Sequence, residues 1–128
     1  MNEKVTYWTD LSDYDYDTAE AMLVSGRYLY VGFMCHQTIE KILKAYFNTN
    51  NPEPAPFTHS LSYIAKKAKL YDQLPDDYKD FIDELEPLNI EARYPSQKER
   101  LMKSLTKIKC KEILKNTKEL QTWIKMKL

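Results

Sequence analysis

The stretch from Arg27 to Phe47 restricts this chain more than any other, because wound as a helix it is apolar on two faces instead of one. At about 100° per residue, Val31, Cys35, Thr38, Ile42 and Ala45 fall in one narrow stripe, the core face of an amphipathic helix. Leu29, Phe33, Leu43 and Phe47 fall roughly opposite, with His36 and Glu40 between them. These two are spaced i, i+4, so they point the same way and can bond each other or a shared partner. Only Gln37, Lys41 and Lys44 make a polar strip. Such a helix is either the central member of a bundle or has one face in a subunit interface, and any polar pair inside its second stripe must find partners there.

The remaining segments supply the bundle. Thr9-Asp10 opens a first helix with Leu11, Tyr14, Thr18, Ala21 and Met22 at core spacing, stopped by Ser25-Gly26 near Val24. The two-faced helix follows at once as its antiparallel neighbour. Asn48 to Phe57, with prolines 52, 54 and 56, reads as an exposed loop. Thr58 then caps a third helix bearing Leu61, Ile64, Ala65 and Ala68, which ends near Tyr71. Pro75-Asp76-Asp77 starts a fourth, whose stripe is Tyr78, Phe81, Ile82, Leu85 and Leu88. A break falls at residues 92–96 around Pro95, and a last helix from about Ser104 to Lys127 turns Ile108, Cys110, Ile113, Leu114, Thr117, Leu120 and Ile124 inward. No segment alternates with period two. The reading is therefore all-α, an up-and-down bundle of four to five helices, with 1–128 as one domain.

Composition narrows the function classes. Only 2 glycines against 43% hydrophobic and 30% charged residues is the usage of a helix-rich globular chain, and not of a disordered one. No run is long enough to span a membrane and no signal core follows Met1, so a cytoplasmic location without membrane partners is expected. Cys35 and Cys110 sit inside helical patterns and read as buried thiols. With two histidines and no Cys-x-x-Cys or Glu-x-x-His, neither a metal nor another cofactor is expected. The net charge of zero hides an asymmetry: residues 1–97 carry 9 Lys+Arg against 16 Asp+Glu, and residues 98–128 carry 10 against 3. The two ends should attract, with Asp13, Asp17 and Glu20 on one face of the first helix answered by Arg93 or the basic last helix.

Several of these pieces recur together in a known family. An acidic, tyrosine-rich first helix ends in Ser25-Gly26-Arg27-Tyr28, and the second carries His36-Gln37-x-x-Glu40-Lys41-x-x-Lys44-Ala45. Thr58-His59-Ser60-Leu61 closes the loop, Glu91-Ala92-Arg93-Tyr94-Pro95 follows the fourth helix, and Trp123-Ile124 closes the last. In that order the chain resembles, over nearly its whole length, the HEPN domain, named for higher eukaryote and prokaryote nucleotide-binding. The resemblance implies a helical bundle, frequently a homodimer, that binds nucleotides or RNA and often works beside a minimal nucleotidyltransferase in a toxin–antitoxin-like pairing. It does not imply catalysis. The ribonuclease branch carries Arg, four to six residues, then His, whereas after Arg93 those positions hold Lys98, Glu99 and Arg100. No general acid or base accompanies the arginine there, so no catalytic residue is assigned.

The expectation is a non-catalytic nucleotide- or RNA-binding accessory, against a structural interaction module docking a partner through the two-faced helix. Arg93 leads the phosphate candidates, since its planar fork of donors suits phosphate oxygens and Pro95 stiffens the chain beside it. Arg27, Lys44, His36, Glu40, His59 and Tyr94 complete the candidate set. His36 with Glu40 can equally be a satisfied packing pair, and Arg93 a structural cation.

Overall fold

A computed structural model describes residues 2–90 and 93–128, and all of the regular structure there is helical. Helix α1 spans Glu3–Val24, α2 Tyr28–Asn50, α3 Leu61–Lys67, α4 Asp76–Leu85, α5 Pro95–Ser104 and α6 Lys107–Lys125, with 3₁₀ turns at Tyr71–Gln73 and Glu86–Leu88. Residues 91 and 92, the Glu91-Ala92 of the family-like motif, lie outside the described residues.

The two-faced helix is the central member. Helix α2 packs against α1, α3 and α6 and also touches α4 and α5. Residues from all round it are buried: Val31, Cys35 and Ile42 of one stripe and Leu43 and Phe47 of the other, together with His36, Glu40 and Lys44. Leu43 and Phe47 are thus covered by the chain itself. Leu29 and Phe33, the other half of that stripe, are only partly buried in the single chain.

Polar bonds set the directions of the long helices. The Asn2 side chain, which caps α1 by accepting from Val5 N–H, donates to the carbonyl of Asn48 at 3.0 Å. Midway along, Ser12 Oγ donates to the Thr38 carbonyl at 2.7 Å. The start of α1 therefore meets the end of α2, as the three-residue connection requires. Gly26 makes that connection with φ +75°, the left-handed position that glycine takes without steric cost, while Arg27 N–H bonds back to the Met22 carbonyl. Helix α6 is also antiparallel to α1, for Gln121 Nε2 donates to Ser12 Oγ at 2.9 Å and Tyr16 donates to the Leu114 carbonyl. Lys125 Nζ pairs with Asp13, so it is the basic last helix, and not Arg93, that answers the first-helix acids.

Several expectations need correction. Helix α1 begins six residues before Thr9, capped by Asn2, and its buried face is Val5, Ser12 and Ala19 with Trp8, Tyr16 and Met22 packed beside them. Tyr14, assigned inward, is 71% exposed. The cause is Ser12, a polar residue on the core face that earns burial by bonding Thr38 and Gln121. Ser60, and not Thr58, caps α3 through its Oγ and the Tyr63 N–H. Ile108, in the first turn of α6, is 81% exposed. Helix α5 was not expected: Pro95 occupies its first position, where a missing N–H costs nothing, and Gln97 Oε1 accepts from Tyr94 N–H. Both cysteines are buried free thiols, and burial pushes Cys35 up to about 12. No described helix is long and apolar enough to cross a membrane.

Candidate functional site

Four of the seven candidate residues form one group, and Arg93, Tyr94 and Arg27 stand outside it. His36, Glu40, Lys44 and His59 converge. Helix α2 presents the first three at successive turns, and the loop before α3 brings His59 from the other side. The hub is Glu40, 2% exposed, whose Oε1 accepts from His59 Nδ1 at 2.9 Å and whose Oε2 accepts from Lys44 Nζ at 3.1 Å. Burial by itself would raise the Glu40 carboxyl, but donation from His59 and Lys44 outweighs it and holds the group below its ordinary value.

His36 is less well served. Its Nδ1 stands 4.0 Å from Glu40 Oε1, beyond hydrogen-bond reach, and meets Gln37 Nε2 at 3.4 Å. Its Nε2 is buried without a partner. Burial drives the imidazole down to about 4, with the Glu40 carboxylate opposing, so His36 is neutral near pH 7. The i, i+4 pair is therefore not one bonded unit: Glu40 takes its partners from α2 and the loop, and His36 packs beside it. Lys44, 7% exposed, also lies over the Trp8 ring at 5.1 Å from the centroid.

Arg93 stands apart with a different neighbour. Its Nε donates to the Pro87 carbonyl at 3.1 Å and its Nη2 to the Glu86 carbonyl at 3.3 Å, so the side chain closes the 3₁₀ turn after α4. Glu86 in turn accepts from the Ser62 N–H and so caps α3. The two carbonyls fix the plane of the guanidinium and leave Nη1 without a protein acceptor among the described residues. A groove of about 370 Å³ opens there, lined by Pro87, Arg93, Gln97, Arg100, Leu101 and Ser104. Gln97, Arg100 and Ser104 recur every three or four residues, which is why one face of α5 carries them, whereas Arg93 stands two residues before the helix begins.

Arg100 was missed as a site residue because its helix was missed. Trp8 was also overlooked, for want of any partner visible in sequence. Tyr94 is 76% exposed at the start of α5. Arg27 is exposed at the α1–α2 turn and makes no side-chain cap there. Neither histidine lines the Arg93 groove. Among the described residues no three His, Cys, Asp or Glu side chains are grouped to hold a metal ion.

Comparison with known proteins gives a family and a fold. The model of the family described as HEPN domain matches residues 5–127. The crystal structure of TT1696 from Thermus thermophilus is similar to 99% of this chain and 100% of that one, with a TM-score of 0.83 and 18% sequence identity. At that identity the likeness concerns the fold alone. No curated protein matches the sequence.

Proposed function

This chain belongs to the HEPN domain family, and from that premise we propose that it is a non-catalytic accessory that holds a phosphate of a nucleotide or of RNA in the Arg93–Arg100 groove. The carrying observation is the pair of arginines on one groove, one of them already oriented by two main-chain carbonyls. A pre-oriented guanidinium gives up less conformational freedom on binding, and a second arginine suits a phosphate carrying more than one charged oxygen. Gln97 and Ser104 supply neutral polar groups beside them.

Binding without cleavage follows from what replaces the histidine. Where the ribonuclease pattern would put His, this chain has Lys98, Glu99 and Arg100, and a guanidinium offers donors and no acceptor. An arginine there strengthens phosphate binding and removes the proton-transfer group that strand cleavage needs. The exposed Tyr94, Met102 and Ile108, on α5 and at the start of α6, support assembly with a second copy near this groove. Co-purification with a minimal nucleotidyltransferase tests the accessory half of the reading.

A thermal-shift screen against nucleoside mono-, di- and triphosphates tests the binding half. A nucleotide at 100 times its dissociation constant adds roughly 2.7 kcal/mol of stability. The reading expects such a rise, and its loss in Arg100→Ala, whose exposed side chain leaves the fold intact. An equal rise in wild type and in Arg100→Ala contradicts it.

A further inference from the structure

The loop between α2 and α3 carries a ring that touches almost nothing. Phe57 is 98% exposed, and it is a wall shared by two grooves. One, of about 440 Å³, opens toward the start of α1, where Tyr7 and Trp8 line it with Pro54 and Pro56. The other, of about 350 Å³, opens toward α3 and is lined by Pro56 and Tyr63. Tyr7 and Tyr63 are themselves 58% and 47% exposed, so rings and prolines make one apolar strip with Phe57 as its ridge. A contiguous apolar strip of this kind marks an interaction surface.

The ridge is held in place. Asn48 Nδ2 donates to the Asn51 and Glu53 carbonyls at 3.0 and 2.7 Å, and Glu53 N–H donates to Asn51 Oδ1 at 3.0 Å. Lys4 bonds the Pro52 carbonyl, and Ala55 is buried. Beyond the ridge, Ser60 N–H donates to Thr58 Oγ1 at 3.1 Å and His59 is tied to Glu40. Prolines 52, 54 and 56 stiffen the backbone between these bonds. A ring presented in this way gives up little backbone freedom on association, which suits it to be the anchor of a protein interface.

Charge defines what would cover it. At one end of the strip Lys4 has only a neutral carbonyl for a partner. At the other, Lys67 lies over the Tyr63 ring, 5.8 Å from its centroid. Both lysines are exposed, and neither joins an ion pair among the described residues. Glu3, on the first groove, sits in the first turn of α1, where the helix dipole favours an acid, and Lys44 is neutralised by Glu40. The uncommitted charge is therefore positive at both ends, with an apolar middle. A polynucleotide fits that pattern poorly, since it carries a charge at every nucleotide.

We propose that the strip docks an extended segment of a partner protein in which apolar residues are bracketed by acidic ones. Phe57 seats among the segment's apolar side chains, and Lys4 and Lys67 face its carboxylates. No residue is shared with the Arg93 groove, so the two sites stand or fall separately.

A phage-displayed random dodecapeptide library, selected on the intact protein and counter-selected on Phe57→Ala, tests this. The exposed Phe57 side chain can be removed with the fold intact, which a thermal melt of the variant checks. Selected peptides should carry an apolar centre between Asp or Glu residues. Measured by fluorescence anisotropy, they should bind Phe57→Ala tenfold or more weakly. Lys4→Glu and Lys67→Glu should each weaken them several-fold and flatten the fall in affinity with salt, whereas Arg93→Ala should change nothing. No enrichment over the counter-selection, enrichment of basic peptides, or equal binding by wild type and the Lys4→Glu, Lys67→Glu double variant overturns the proposal. So does a lower light-scattering mass in Phe57→Ala, which would seat a second copy on the strip. Displacement of the peptides by a single-stranded oligoribonucleotide would seat RNA there, and overturns it too.

Discussion

Glu40 and His36 are one turn apart on the same helix and equally hidden, yet their removal should have very different consequences. Glu40 neutralises Lys44 and binds His59, so Glu40→Ala strands a buried ammonium and should cost about 3 kcal/mol. His36 has one long contact and an orphaned Nε2, so His36→Leu should cost about 1 kcal/mol or less. Because the two are 4.0 Å apart, the double variant should cost nearly the sum. Urea unfolding of the three variants checks this, and a larger loss for His36→Leu than for Glu40→Ala would refute it. A pH dependence follows from the same residues. His36 binds its proton near 6.5 when unfolded but only near 4 when folded, so acid favours the unfolded chain. That contribution is complete above about pH 6.5 and lost as pH falls toward 4, on the order of 3 kcal/mol in all. Glu40, depressed in the folded state, loses its contribution as pH falls below 4.5, in the same direction. Unfolding free energies between pH 7 and 4 should fall, and His36→Gln should flatten that slope.

At the scale of elements, helix ends decide how much of the fold can be read from sequence. Helix α4 was legible because Pro75-Asp76-Asp77 and the stripe Phe81, Ile82, Leu85 agree with each other, and all three apolar residues are buried. Helix α5 was not, since it has no buried residue and begins at a proline that also reads as a break. The start of α1 was hidden because its cap, Asn2, matters through a contact with Asn48 that lies 46 positions away. In the same way Arg93 and the α2 pair were visible as residue types in suggestive places, but their partners, the Glu86 and Pro87 carbonyls and His59, are tertiary. One end remains strained. Lys69 closes α3 at φ 59°, where its N–H bonds the Lys66 carbonyl, a left-handed position that glycine fills at less cost. Lys69→Gly should therefore stabilise the protein by roughly 0.5–1 kcal/mol, and a loss of that size in thermal unfolding would show that the Lys69 side chain matters more than its backbone.

For the whole molecule, the acidic front and basic rear of the sequence are brought together, with Lys125 on Asp13 and Lys118 over the Tyr16 ring. Helix α5 carries Lys98, Arg100 and Lys103 against one acid, Glu99. Exposed Met102 lies on it and exposed Ile108 just beyond it, and light scattering should give a mass near twice the 15.2 kDa of one chain, falling to the monomer in Ile108→Lys. A monomer in the wild type would rule out this assembly.

The most direct trial of the central idea is fluorescence anisotropy with a labelled single-stranded oligoribonucleotide, run on wild type and Arg93→Lys and followed by a gel of the same samples. Lysine keeps the charge but loses the planar fork, so binding should weaken about tenfold, a loss of one bidentate contact, with the strand intact in both. Equal binding by wild type and Arg93→Lys, or a strand cut by the wild type, would contradict a non-catalytic phosphate site at Arg93.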